Sequence, residues 1–202
     1  MGKSITNKTP AKALAMVMAL LTLTGCGSGS MEVSSVTIDK EGHISNVIYE
    51  AFDKEYYSLE ELSDMASKEV SEYNSEYISP KIALDKVETV EDGSFARVSM
   101  NYDSASDFSN FNDESLFYGT IEEAESAGFT VSAELIDNDG VKIDGSFAKD
   151  HPDRHIIITT DKSNIIAPFN IEYMSKGVSL SGKKEAVLSD ATADSIQLLL
   201  SK

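Results

Sequence analysis

Two of the three histidines lie in His151-Pro152-Asp153-Arg154-His155, directly after Asp150. Imidazole beside carboxylate is a ligand chemistry that Zn²⁺ or Ni²⁺ accepts, which makes His151, Asp153 and His155 the candidate metal ligands. The spacing argues against that use. Pro152 disfavours helical presentation, and Ile156-Ile157-Ile158 continues as a strand, so the expectation is a solvated loop entering a strand, with no metal and no cofactor. Asp137-Asn138-Asp139-Gly140 has the residue types of a calcium loop, but its glycine comes too early and no glutamate closes the loop, which leaves a hairpin turn. Ser181-Gly182-Lys183-Lys184 fits the SxxK spacing of a lysine-activated serine without the SDN and KTG elements that this chemistry needs. A phosphate-cradling glycine loop, a dinucleotide fingerprint, HExxH and GxSxG are all missing. No catalytic residue is assigned.

Carboxylates are the remaining reactive groups. Asp103, Asp107, Asp113, Glu114, Glu122, Glu123, Glu125, Glu134, Asp137 and Asp139 follow one another with no basic residue between Arg97 and Lys142. Such a stretch reads as a solvated, solubilising face, or as a surface for a basic protein or a divalent cation. Asp103, Asp107, Asp113, Glu114, Glu122, Glu123 and Glu125 are its candidate contact residues. Phe108, Phe111, Phe117 and Tyr118 are interleaved with them as core anchors. Tyr56-Tyr57 has the chemistry to stack on sugar rings, but a hydrophobic staple or core packing is the expected use.

The whole chain has 17 basic and 34 acidic residues, a formal charge of −17, which excludes a generic nucleic-acid binder. With 41% hydrophobic residues the composition is that of a globular protein, and a single cysteine excludes an intrachain disulfide framework. That cysteine follows an N-terminal address. Lys3, Lys8 and Lys12 precede the uncharged run from Ala13 to Thr24, and residues 1–25 contain no acid, as in a signal peptide. The run ends in Leu23-Thr24-Gly25-Cys26, which resembles the lipobox of bacterial lipoproteins. The resemblance implies that the Cys26 thiol receives a diacylglyceryl group and that signal peptidase II, recognising Leu23, Thr24 and Gly25, cuts before Cys26. It covers only the first 26 residues. Two acyl chains, at about 0.8 kcal/mol per buried CH₂, anchor stably. Cleavage leaves 14 basic against 34 acidic groups, −20. Residues 26–32 are then the lipidated cysteine and a short flexible tether, and the body behind them carries a charge that anionic headgroups repel.

The elements that must position these groups follow from periodicity. Alternating apolar residues around residues 39–42 predict a hairpin over 33–52. Ser58-Leu59-Glu60-Glu61 is a capping box, and Leu62, Met65, Ala66, Val70 and Tyr73 predict the main helix over 59–75, with Asp64 and Lys68 paired on its surface. Residues 82–90 and 95–102 flank the Asp92-Gly93 turn. A short helix follows at 104–110, a strand at 116–118, and a second capped helix from Thr120 that Gly128 ends. Beyond it the period is two, and 131–136, 141–147, 155–160, 165–173 and 178–188 read as strands; 195–200 is a strand or a terminal helix, and its shortness and lack of helical punctuation favour the strand. The fold class is α+β: antiparallel sheets built from hairpins, one main helix and a strand-rich C-terminal part. A boundary near residue 128 divides an α+β region, 33–128, from a strand-rich one, 129–202, or the two form one continuous domain.

The sequence therefore implies a membrane-anchored, extracytoplasmic lipoprotein of acidic α+β layout, like many small surface lipoproteins of Gram-positive anaerobes. Its expected role is a non-catalytic binding or envelope-interaction module. A small cell-surface hydrolase using paired carboxylates is the alternative, and a solute-binding component of a transporter the third reading.

Overall fold

The computed structural model describes residues 33–202. The lipobox, Cys26 and the signal-peptide reading lie outside them. Strands β1 (Ser35–Ile38) and β2 (Ile44–Ala51) form the expected hairpin, its turn closed by the Asp39 carboxylate, which accepts the amides of Glu41 and His43 at 2.9 Å. Helix α1 (Leu59–Asn74) starts where the sequence places it, with the Ser58 hydroxyl accepting the Glu61 amide at 3.3 Å. Leu62, Ala66 and Val70, one turn apart, make its buried stripe. Met65, assigned to that stripe by spacing, is 40% exposed: one residue off the stripe, it is rotated to the helix flank. Lys68 pairs with Glu72 at 3.7 Å.

Strands β3 (Ile82–Val90) and β4 (Phe95–Tyr102) flank a single 3₁₀ turn, Glu91–Gly93. Helix α2 (Ala105–Asn112) is capped by Ser104, and strand β5 (Leu116–Thr120) leads into α3 (Ile121–Ser126). The reciprocal capping box is complete here, Glu123 accepting the Thr120 amide and Thr120 accepting the Glu123 amide. Gly128, at φ 91°, takes the left-handed position that ends α3.

The sequence expectation fails for residues 131–136 and 141–147. They form a loop held by single bridges, Ile136 to Lys142 and Ile136 to Met174, followed by the short helix α4 (Phe147–Asp150). The alternation correctly marks buried Leu135 and Ile143, but side chains take the place of a ladder: Gln197 accepts the Ser132 amide at 2.9 Å and donates to the Thr130 carbonyl at 2.9 Å. Residues 165–173 divide around Pro168, which cannot donate a ladder bond, giving β7 (Asn164–Ile166) and β8 (Ile171–Met174) after β6 (His155–Thr159). Residues 178–188 form two short strands, β9 (Ser179–Leu180) and β10 (Glu185–Val187). The last element, β11 (Ile196–Leu200), is a strand, as its length and lack of helical punctuation suggest.

Two sheets result, β3-β4-β2-β1-β7-β10-β9 and β5-β6-β11-β8. The chain crosses between them after β4, β6, β7, β8 and β10, and β1 pairs in parallel with β7, so residues on both sides of position 128 share one sheet. All other strand pairs are antiparallel. One core contains Val36, Ile44, Val98 and Met100 of the larger sheet, Leu62 and Val70 of α1, Phe108 of α2, and Ile157, Leu198 and Leu200 of the smaller sheet. A second core, under α3 and the 129–147 loop, covers the smaller sheet's other face with Leu135, Ile143, Ile156, Ile158 and Leu199. Strand β11 is consequently buried along its whole length. No helix among the described residues is long and apolar enough to cross a membrane.

Candidate functional site

Among the described residues, helices and the second sheet pack on one face of the larger sheet. Its inner face carries Val36, Ile38, Ile44, Asn46, Ala96, Val98, Met100, Tyr102, Ile165 and Ala186, all buried. The alternate residues point the other way, and the strand register places them on one surface: Thr37 beside Ser45 and Ile166, Val47 beside Ser35 and Ser99, Tyr49 beside Arg97, and Arg97 beside Glu88. None of these is buried. This is the pattern of an antiparallel sheet with one face to the core and one to water. Where most of the chain is strongly acidic, the open face balances Lys86 and Arg97 against Glu88 and Glu185.

At one end of this face Tyr49 and Phe95 stack with ring centroids 4.7 Å apart and planes 10° from parallel. Next to them Arg97 Nη1 lies 3.2 Å from Glu88 Oε1, and Lys86 Nζ lies 2.6 Å from the other oxygen of the same carboxylate. Both cations hold Glu88 below the usual carboxylate range. Ser45 donates to Asn101 Oδ1 at 2.8 Å farther along. A flat surface with a preorganised aromatic pair, an oriented arginine and small hydroxyls has the residue types on which protein–protein contacts concentrate their energy.

The acid-rich stretch is not one surface. Asp107 is buried, accepting the Ser104 hydroxyl at 2.6 Å and the Tyr73 hydroxyl at 3.1 Å. Asp103 pairs with Lys81 at 3.0 Å, Glu123 closes the α3 cap, and Glu134 pairs with Lys142. Asp113, at φ 56°, ends α2, while Glu122 and Glu125 stay exposed on α3. Glu114 differs from all of these. The β5–β6 register runs from Leu116 opposite Thr159 to Ser115, whose amide and carbonyl both bond Thr160 at 3.0 Å, and one step further sets Glu114 opposite Asp161. Burial, and then the Asp161 charge, push Glu114 up to about 7. Asp161 itself is buried and accepts the Ser163 amide at 2.8 Å.

The histidine segment does not converge. The His155 ring is sandwiched between Tyr118 and Phe169, with centroids at 5.3 and 5.5 Å, whereas the His151 ring lies 4.5 Å from Phe147, which packs against the second core. Asp153 is exposed, and among the described residues no three His, Cys, Asp or Glu side chains gather as a metal site. Of the aromatic residues in the acidic stretch, Phe108 is fully buried and Phe111, Phe117 and Tyr118 pack against the two cores. Tyr56 does not staple the helix, being 77% exposed on an outer turn, although Tyr57 stacks on Phe52 at 5.1 Å. Between α1 and the larger sheet lies a cavity of about 60 Å³ lined by Ile48, Leu62, Ala66, Val98, Met100 and Phe111, with Glu69 among its few polar groups.

The open sheet face escaped sequence reasoning because its signal is the polar half of each strand's alternation, which becomes a surface only when strand order is known. Comparison with protein-family models, with curated proteins and with solved structures gives no match.

Proposed function

We propose that the chain is a lipid-anchored extracytoplasmic binding module that meets a partner of the cell envelope through the open face of its larger sheet. The observation that carries this reading is the contrast between the two faces: the inner residues are buried under two helices and a second sheet, while the outer ones are half-buried or exposed. About twenty outward residues, near the number on one side of a standard interface, lie there with almost no net charge. A photo-crosslinking residue at Ser99, which lies between Val47 and Lys86 in the register, tests it in intact cells. The reading expects a covalent adduct from position 99 and none from position 122 on α3. Adducts from both positions, or from neither, count against it.

A second reading, a hydrolase using paired carboxylates, draws its support from Glu114 and Asp161. Their surroundings divide the roles, since a carboxyl pushed up to about 7 is poised to donate a proton beside a carboxylate fixed by a backbone amide. Turnover of a wall or dietary polysaccharide by the purified domain, abolished by Glu114→Gln, would favour this reading over the first.

A further inference from the structure

The described chain begins at the end of the larger sheet that carries its outermost aromatic rings. Ser34 and Tyr49 exchange two hydrogen bonds, the Ser34 hydroxyl donating to the Tyr49 carbonyl at 3.3 Å and accepting the Tyr49 amide at 2.9 Å. Val33 therefore enters beside the last turnless residues of β2, and is itself 42% exposed. Immediately beyond β2, Phe52 is tied to the β3–β4 turn by its amide, which donates to the Ser94 carbonyl at 2.7 Å. Tyr57 stacks on Phe52, and Tyr56 meets Tyr57 edge-on with centroids 4.9 Å apart. The result is a ladder of three rings that runs outward from the core to a tyrosine 77% exposed.

We infer that this end, Val33 with Tyr56 and Tyr57, lies in the headgroup region of the bilayer that holds Cys26, so that the strands stand away from the membrane. The inference rests on the lipid-anchor reading above. Seven residue steps separate Cys26 from Val33, a contour of at most about 25 Å. Helix α1 starts beside Tyr57 and runs 16 residues, about 24 Å at 1.5 Å per residue, before the loop carrying Tyr77 and Ile78. That second exposed apolar pair reaches the same bilayer only if the tether is drawn to its limit alongside the domain, whereas the Tyr56 end reaches it at any extension. Tyrosine has the right character, an apolar ring with a polar tip, which partitions to membrane interfaces. The charges at this end choose the lipid: Lys54 is paired with Asp53 at 2.9 Å, and Glu55, Glu91 and Asp92 have no ion pair among the described residues, so the contact suits zwitterionic rather than anionic headgroups.

The chain contains no tryptophan, so a single introduced indole reports its own surroundings. Lipidated full-length protein bearing Tyr56→Trp or Tyr77→Trp would be reconstituted into vesicles of brominated phosphatidylcholine and compared with unbrominated ones. Loss of emission and a blue shift are expected at position 56, with neither at position 77. If the protein is anchored but both positions are quenched alike, or only position 77 is quenched, the orientation is wrong while the anchor stands. If Cys26→Ala partitions with vesicles as the parent does, the anchor reading fails and takes the orientation with it. Should Tyr56→Trp lose the parent's melting transition, Glu55→Trp, exposed one residue away, carries the same reporter.

Discussion

Replacing Glu114 by glutamine should stabilise the domain at neutral and alkaline pH and leave it unchanged in mild acid. In the folded chain the carboxyl is pushed up to about 7 from an ordinary value of 4.5, first by burial and then by Asp161. The unfolded chain releases that proton near 4.5, so between the two values the folded state holds a proton that the unfolded state lacks. Stability from this group is fully present below about 4.5 and is lost as pH rises towards 7. Fully converted, the displacement corresponds to about 3.4 kcal/mol, but the carboxyl is only half-enclosed, and solvent screening brings the expected cost to about 1.5 kcal/mol. Glutamine keeps the shape and carries no charge. Thermal melts of the soluble domain should therefore coincide for the two proteins at pH 4.5 and separate by about 3 to 6 °C at pH 8, at about 2 to 4 °C per kcal/mol for this size. Asp161→Asn removes one of the two causes of the shift, so it should shrink the separation and complete it at lower pH. A melting difference that stays constant from pH 4.5 to 8 would refute the burial and the Asp161 coupling together.

Other substitutions follow from the packing. Leu62→Ala should cost about 2 to 5 kcal/mol in denaturant titration because it enlarges a cavity beneath α1, whereas Met65→Ala, on the exposed flank, should stay within about 0.5 kcal/mol. Gln197→Ala removes both side-chain bonds that hold the 129–147 loop on β11; it should cost about 1 to 3 kcal/mol and raise amide exchange at Ser132 before the rest of the domain. Gly177→Ala should prevent stable folding, since the backbone there has φ 88° and an added Cβ would lie 2.2 Å from the Asp190 carbonyl oxygen; a melting temperature within a few degrees of the parent would contradict it.

Local chemistry was legible in the sequence and long-range pairing was not. Ser58, Ser104 and Thr120 begin helices because a hydroxyl can accept an orphan amide without help from the rest of the fold, and Asp92-Gly93 turns for equally local reasons. Met65 misled because the α1 stripe is narrow, and a spacing of three from Leu62 falls off it on a helix that buries residues four apart. The segment 131–147 misled differently. Alternation reports which side chains are buried, here Leu135 and Ile143, but does not report whether a neighbouring strand is available, and Gln197 supplies hydrogen bonds in its place. The parallel pairing of Ser35 with Asn164 has no local signature at all, and with it went the continuity of the open face. The carboxylate pair was hidden for the same reason, since Glu114 meets Asp161 only through the β5–β6 register.

The claim that the open sheet face is the working surface is tested most directly by hydroxyl-radical footprinting of Tyr49 and Phe95 in two settings, the purified domain and the intact cell surface. Tyr102 and Phe108, at 2% and 1% exposure, serve as internal references that should stay unmodified in both. Oxidation of Tyr49 and Phe95 in the purified domain, lost on the cell while exposed Tyr77 continues to react, is the result expected if a partner covers this face. Equal oxidation of Tyr49 and Phe95 in both settings would contradict it.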